Sequence, residues 1–271
     1  DHRDLHSFPT RRSSDLKGEA GREDIDYTFI IDTLATFRKF TVNAVNEEWV
    51  KKRFEEWKTE RAYKGEGFQL KEPAEADAYL DTFYSPYTAL FWGQDYLEEV
   101  EALLPKKAEG SFSVWDAGCG KGFEAFTLAA VLRKRFPECR VKVWAHDNDL
   151  LGISTAPNLI FGKEEIPERF RNFLVEGKNG FQFNQEIKDS VLFEYHDLLH
   201  QSSLPDVDMI VARDILSFLK PAEQQRLLGE FAERLKPGGV LIIGTNERIM
   251  GDEWTPIGEG SAVVAYRKEK G

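Results

Sequence analysis

The stretch VWDAGCGKGFEAF, residues 114–126, constrains this chain more than any other feature. A short apolar run reads as a buried strand, three glycines follow at alternate positions, and a helix-like pattern begins at once. Such a junction presents backbone N–H groups and lets a ligand approach the main chain closely. A P-loop would need Gly-x-x-x-x-Gly-Lys-Ser/Thr, but Lys121 is followed by Gly122 and Phe123, with no hydroxyl for magnesium. A dinucleotide loop would read Gly-x-Gly-x-x-Gly, whereas Gly118, Gly120 and Gly122 make Gly-x-Gly-x-Gly after Asp116. A carboxylate at that strand end repels a pyrophosphate. It suits a ligand with an amine or a sulfonium, and S-adenosylmethionine carries both.

From residue 111 onward strand and helix patterns alternate. Strands are expected at 112–116, 141–146, 190–195, 207–212, 239–244 and 261–268, and helices at 121–135 and 221–235. KPGG at 236–239 supplies a stop for the last helix, with Gly238 or Gly239 as a left-handed C-cap. The pattern implies a doubly wound α/β fold with a mostly parallel sheet, whose ligands sit beyond the carboxyl ends of the strands. Before it, from Ile25 to about Leu104, the periodicity is helical. Phe29, Ile30, Leu34 and Phe37 fall on one helix, and Val50, Phe54, Trp57 and Arg61 share a face of the next. The mixed charges of that second helix read as a solvated, self-paired face or as a dock for an acidic helix. The expected divisions are 1–16, an N-terminal helical region at 17–108, and a cofactor-binding domain at 109–271 with a small β insert at about 169–196. Residues 6–16, HSFPTRRSSDL, resemble a translated sequencing adapter and are set aside as a non-native leader, with the natural start and any upstream domain expected to be missing.

The strand ends carry further polar groups. Asp147 can accept both ribose hydroxyls of an adenosyl group or cap a helix. Asp197 can accept from an adenine amino group while Leu198 offers its N–H, and a cap again competes. ARDIL delivers Arg213 and Asp214 to the same edge, at the mouth of the site. Four polar strand ends on one edge favour an adenosylmethionine fold over a dehydrogenase.

Composition narrows the partners. A formal net charge of −11 opposes general binding to nucleic acid or an anionic membrane surface. Cys119 and Cys139, the only cysteines, form neither a disulfide framework nor a zinc pattern. No apolar run approaches the ~18 residues of a membrane helix, and no signal-peptide pattern is present, so a cytoplasmic protein is expected. The five histidines, His146 and His196 among them, show no metal-ligand spacing.

From about Thr88 to Arg267 the chain resembles the chemotaxis receptor methyltransferases, the CheR family. The specific part is VDMIVARDILSFLKPAEQQRLLGEFAERLKPGGVLIIGTNE, residues 207–247. It is similar to the family's strand, Arg-Asn pair, Tyr-Phe pair, Gln-bearing helix and glycine-introduced strand ending in Ser-Glu. VWDAGCGKGFEAFTLA is similar to the family's Ser-Thr-Gly-Glu-Glu-Pro-Tyr loop, with Glu124 at the second glutamate. Asp147 falls at the ribose-binding aspartate, Asp197 and Leu198 at the adenine-contacting Asn-Leu, Arg213 matches, and Asp214 replaces an asparagine. The resemblance implies a class I S-adenosylmethionine methyltransferase fold. It also implies that Thr88, Asp116, Gly118, Gly120, Gly122, Glu124, Asp147, Asp197, Leu198, Arg213 and Asp214 line the cofactor site. FLVEGKNGFQFNQE reads by itself as a hairpin about Lys-Asn-Gly, where the family has a three-stranded subdomain that in some members grips a receptor tail peptide.

The departures lie at the reaction centre. Where the family has Asn-x-Thr-x-Phe-Phe-Arg, PYTALFWG keeps Thr88 and Phe91 but has Pro86 for the asparagine and Trp92 for the arginine. Phe218 stands at the tyrosine. The expected roles are Arg213 as an orienting group and Trp92 with Phe218 as an apolar wall beside the sulfonium. The resemblance implies a protein-glutamate O-methyltransferase of bacterial chemoreceptors. The departures offer a cofactor-binding sensor or scaffold in a chemoreceptor assembly instead, and a small-molecule methyltransferase is a third reading.

Overall fold

The computed structural model describes residues 13–87, 89–258 and 262–268, with side chains from residue 24. Chain contacts divide it into two units. The first comprises the residues up to Val42 together with Val50–Asp81, and the second Asn43–Trp49 with Thr82 onward.

The first unit is helical. It contains α1 (Ser13–Arg38), most of α2 (Glu47–Lys64) and α3 (Pro73–Leu80). Ile30 and Leu34 of α1, Val50, Phe54 and Trp57 of α2, and Tyr79 of α3 are buried. The charged face of α2 is paired within the helix, Lys58 on Glu55, and to α3, Arg61 on Glu75. Arg53 departs from a solvated face: it is buried, donates to the Tyr79 carbonyl at 3.1 Å and pairs with Glu60. Phe29 is exposed, so that part of the expected stripe does not enter the core.

The second unit opens with α4 (Gln94–Leu103) and runs through β1 (Ser111–Ala117), α5 (Phe123–Arg135), β2 (Arg140–Asp147) and α6 (Leu150–Thr155). It continues with β3 (Leu174–Gly177), β4 (Gly180–Phe183), α7 (Gln185–Ser190), β5 (Val191–Tyr195), β6 (Val207–Ala212) and α8 (Pro221–Arg234). β7 (Leu235–Ile243), β8 (Trp254–Ile257) and β9 (Val264–Lys268) follow. The main sheet has the order β5-β2-β1-β6-β7-β9-β8, parallel through the first five strands and antiparallel in the last two. Successive side chains on a strand face opposite ways. Val114, Val143 and Val211 therefore join the core under α5, while Trp115, Ile210 and Leu241 join the core under α8, with Leu227 and Phe231. Strand order reverses at β1, which puts the crevice of such a sheet beyond the carboxyl ends of β1, β2 and β6.

Two expectations are corrected, and the expected hairpin forms with a two-residue turn. KPGG is not a helix cap: α8 ends at Arg234, Leu235 is already extended, and residues 236–239 lie inside β7. Leu235 is buried opposite Val207, and the register then shifts so that Met209 faces Val240, with Gly238 at φ +80° taking up the extra chain. The hairpin turns on Lys178 and Asn179, with Gly180 paired to Gly177, and a bridge from Phe161 to Phe181 adds a third short partner. The run expected at 261–268 forms a strand from Val264, residue 261 lies outside the described residues, and β8 was not expected. Among the described residues no helix is long and apolar enough to cross a membrane, and no group of three His, Cys, Asp or Glu is placed to hold a metal.

Candidate functional site

The glycine loop is tied to β2 before it reaches α5. The N–H groups of Gly118 and Cys119 donate to the His146 carbonyl at 2.8 and 3.0 Å, and Gly120 N–H donates to Asp147 Oδ2 at 2.8 Å. Gly122 enters α5 at φ +92°, and a Cβ there would stand 2.9 Å from the Ala156 methyl and 3.0 Å from the Phe193 ring. Gly120 is also left-handed, at φ +54°, yet a Cβ on it meets no protein atom within 4 Å. That side of the loop is open, as a ligand's close approach requires.

Asp147 does not cap a helix. Its Oδ1 accepts from Asp149 N–H at 2.8 Å, and Asp149 caps α6 through Leu151 N–H. The half-buried Asp147 carboxylate thus fixes the loop, and each oxygen keeps a second lone pair. Asp197 follows β5, where His196 N–H donates to the Asp147 carbonyl at 3.0 Å, and Asp197 Oδ1 accepts from Leu199 N–H at 2.9 Å. The Leu198 side chain packs against the core under α8.

Behind the loop lies a buried charge cluster. Arg213 is 6% exposed and does not line a mouth; its Nη1 donates to Glu124 Oε2 at 2.5 Å and its Nη2 to the Pro86 carbonyl. The guanidinium carbon stands 5.5 Å from the Trp92 ring centroid and 5.1 Å from that of Tyr96. Those rings meet edge to face at 5.0 Å, making an aromatic corner for the cation. Burial opposes the Arg213 charge, but Glu124 overrides it and the group is held above its ordinary pKa. Burial pushes the Tyr96 phenol up. Asp116, fully buried, takes no donor from the protein at either oxygen. Burial, then the Glu124 charge, raises its pKa well above the usual carboxylate range.

Asp214 also turns inward. It sits at φ +59°, and its carboxylate accepts from Ser85 N–H and Ser85 Oγ, both at 2.8 Å. Ser85 Oγ in turn accepts from Thr245 N–H at 2.8 Å, so residues 82–86 are latched to the ends of β6 and β7. Beside it Glu247, 0% exposed, accepts from Ser217 N–H and Oγ at 2.9 Å. Burial and the Asp214 charge raise Glu247 to about 7. Phe218 is half-buried and stacks on Tyr84 at 6.5 Å. Thr88 lies outside the described residues.

The structure therefore brings Asp116, Glu124, Arg213 and Trp92 into one buried cluster, and Asp147 with Gly120 into its rim. Trp92 is fully buried with Arg213 at its face, which differs from an apolar wall facing a ligand. Asp214 and Phe218 belong to the neighbouring latch. Sequence reasoning missed Tyr96, Ser85 and Ser217. Tyr96 carried a signal in its spacing of one helical turn from Trp92, whereas Ser85 carried none.

The donor set fits S-adenosylmethionine. Asp116, a buried carboxyl without a protein donor, waits for a cation, and the open face of Gly120 beside Asp147 admits an adenosyl group. Comparison with known proteins agrees. The model of the CheR methyltransferase, SAM binding domain, matches residues 87–261, and that of the CheW-CheR linker domain matches residues 20–79. An uncharacterised 104.1 kDa protein in the hypE 3′ region of Rhodobacter capsulatus is 27% identical over 179 residues, 61% of this chain and 19% of that protein. The chain thus spans about a fifth of that relative. A chemotaxis protein methyltransferase of Listeria monocytogenes is 28% identical over 190 residues, covering 63% of this chain and 70% of that one. One from Klebsiella aerogenes is 28% identical over 211 residues, covering 73% and 72%. The cofactor is S-adenosylmethionine, and the chain belongs to the CheR family of methyltransferases.

Proposed function

We propose that this chain is a CheR-family module that holds S-adenosylmethionine but transfers its methyl group to receptor glutamates slowly or not at all, serving as a sensor or scaffold in a chemoreceptor assembly. The observation that carries this reading is the commitment of Arg213. Its Nη1 and Nη2 are committed to Glu124 and the Pro86 carbonyl, two aromatic rings cover it, and the remaining Nε–H is buried, so it presents no exposed donor to an incoming carboxylate. Trp92 offers no charge in its place, and Phe218 offers no hydroxyl.

Bound S-adenosylmethionine supplies an electrophilic methyl group on a sulfonium. The residues that would hold it are Asp147 and the Gly118, Gly120 and Gly122 main chain, with Asp116, Glu124 and Arg213 behind the loop and Asp197 and Leu198 at the rim. A substrate glutamate, with an ordinary pKa near ~4.3, is already an anion at neutral pH, so no residue of this chain need act as a base. What the protein must supply is alignment and dehydration. Removing one preorganised donor from such a site costs roughly 10²–10³ in rate. Two such losses leave cofactor binding with little turnover. The CheW-CheR linker match at residues 20–79 supports the scaffold reading, since its name pairs CheR with a second component, CheW.

The second reading, an active receptor glutamate methyltransferase, is favoured by Tyr84, whose half-exposed phenol ring stacks beside Phe218. Incubation with methyl-tritiated cofactor and a chemoreceptor cytoplasmic fragment separates the two, with the Listeria monocytogenes relative and its own receptor as the active standard. Cofactor binding with label transfer at least a hundredfold below the standard supports the module. Transfer within tenfold of the standard overturns it.

A further inference from the structure

We propose that Asp116 is an un-ionised carboxylic acid in the ligand-free protein and gives up its proton when a cationic ligand group enters the crevice, so that cofactor binding expels a proton. The proposal rests on the adenosylmethionine reading of the site and adds a titrating group to it.

The argument begins with charge and donors. Asp116, next to last in β1, is 0% exposed, and neither carboxyl oxygen receives a hydrogen bond from an N–H or hydroxyl of the protein. An ionised carboxylate without donors or water is far too costly to bury, so the group neutralises itself instead. The one cation in the cluster makes no hydrogen bond to Asp116: Arg213 Nη1 is on Glu124, Nη2 is on the Pro86 carbonyl, and its buried Nε has no partner. What Asp116 does face is the Glu124 carboxylate, a neighbouring negative charge that opposes its ionisation. Glu124 has the arginine and Asp116 has nothing, which assigns the proton to Asp116.

The groups that face Asp116 agree. Glu124 from α5 and Asp147 from the end of β2 are acidic, and Arg213 at the end of β6 is the only cation among them. Cys119 in the loop is a thiol driven further toward its neutral form by burial, and Tyr96 of α4, whose ring lies 5.1 Å from the Arg213 guanidinium, is a neutral phenol. With Asp116 protonated, Glu124 and Arg213 balance. An ammonium or sulfonium arriving at this cluster meets an acid that becomes its counter-ion by releasing a proton to solvent. No covalent bond changes.

Calorimetric titration of the whole chain with S-adenosylmethionine at pH 6.5, in buffers of low and high ionisation heat, counts that proton. The expected result is release of ~0.5–1 proton per cofactor, with affinity rising toward about tenfold per pH unit below the acid's own pKa. Asp116→Asn, an isostere of the neutral acid, should bind at least tenfold more weakly and release none. Equal heats in both buffers for the unmodified protein, or the same release from Asp116→Asn, overturn the proposal and leave the cofactor reading standing. Absence of binding by both proteins overturns both.

Discussion

The Trp92 indole lies at the face of the Arg213 guanidinium, 5.5 Å from ring centroid to guanidinium carbon, and both side chains are buried. The aromatic ring at this position holds the site's arginine and leaves no room for a second one.

Trp92→Arg is therefore expected to destabilise the protein. It removes a fully buried indole and sets a second guanidinium against the first, with Glu124 already engaged. Breaking buried charge balance costs about 3–5 kcal/mol. Urea unfolding should show at least that loss, whereas Trp92→Phe, which keeps an aromatic face, should lose about half as much. Equal stability of Trp92→Arg and the parent would contradict the packing described.

The latch at residues 82–86 depends on Ser85. Both Asp214 oxygens accept from it, and its hydroxyl accepts from Thr245 N–H. Ser85→Ala leaves a buried carboxylate and a backbone donor short of partners, at about 1.5–3 kcal/mol. Thermal unfolding should register the loss, and hydrogen exchange at Thr245 should quicken.

Gly120→Ala tests the open face of the loop. The added methyl meets no protein atom, so the fold should persist with about 1–2 kcal/mol of left-handed strain. Cofactor affinity should fall by more than tenfold because the methyl projects where the ligand comes closest. Unchanged affinity would place the ligand elsewhere.

Two buried groups make stability depend on pH in opposite senses. Burial, with His196 facing it, lowers His146 from 6.5 to about 4. Its contribution is present above pH 6.5 and is lost as pH falls toward 4, because the unfolded chain takes the proton first. Glu247, raised from 4.5 to about 7, contributes most below pH 4.5, and that contribution is lost as pH rises to 7. Each shift corresponds to about 3 kcal/mol, so the two largely cancel between pH 4.5 and 6.5. Glu247→Gln should unmask stability that rises with pH across that window, and His146→Leu stability that falls. Parallel profiles for the two variants would contradict the assignment.

What could be read from the sequence was what neighbours along the chain determine. The alternation in β1, β2 and β6 and the glycine spacing after Asp116 placed the crevice, because strand period and turn chemistry are local. The Arg213 partners were hidden, since Glu124, Pro86, Trp92 and Tyr96 come together only when α4, α5 and β6 pack. KPGG misled for the same reason: a helix stop and a strand irregularity share their residues, and burial of Leu235 against Val207 decided between them. In β8, the four residues Trp254–Ile257 include Pro256, too short and interrupted a run to announce a strand, and the antiparallel pairing with β9 makes it one.

The central claim is that the crevice at Gly120 and Asp147 is where the adenosyl group binds. Titration of S-adenosylhomocysteine into the parent, Asp147→Ala and Asp149→Ala tests it most directly. The expected result is saturable one-to-one binding, weakened at least tenfold by Asp147→Ala and less than threefold by Asp149→Ala, which removes only the α6 cap. Tighter binding of NAD than of S-adenosylhomocysteine, or equal affinity in the parent and Asp147→Ala, would contradict it.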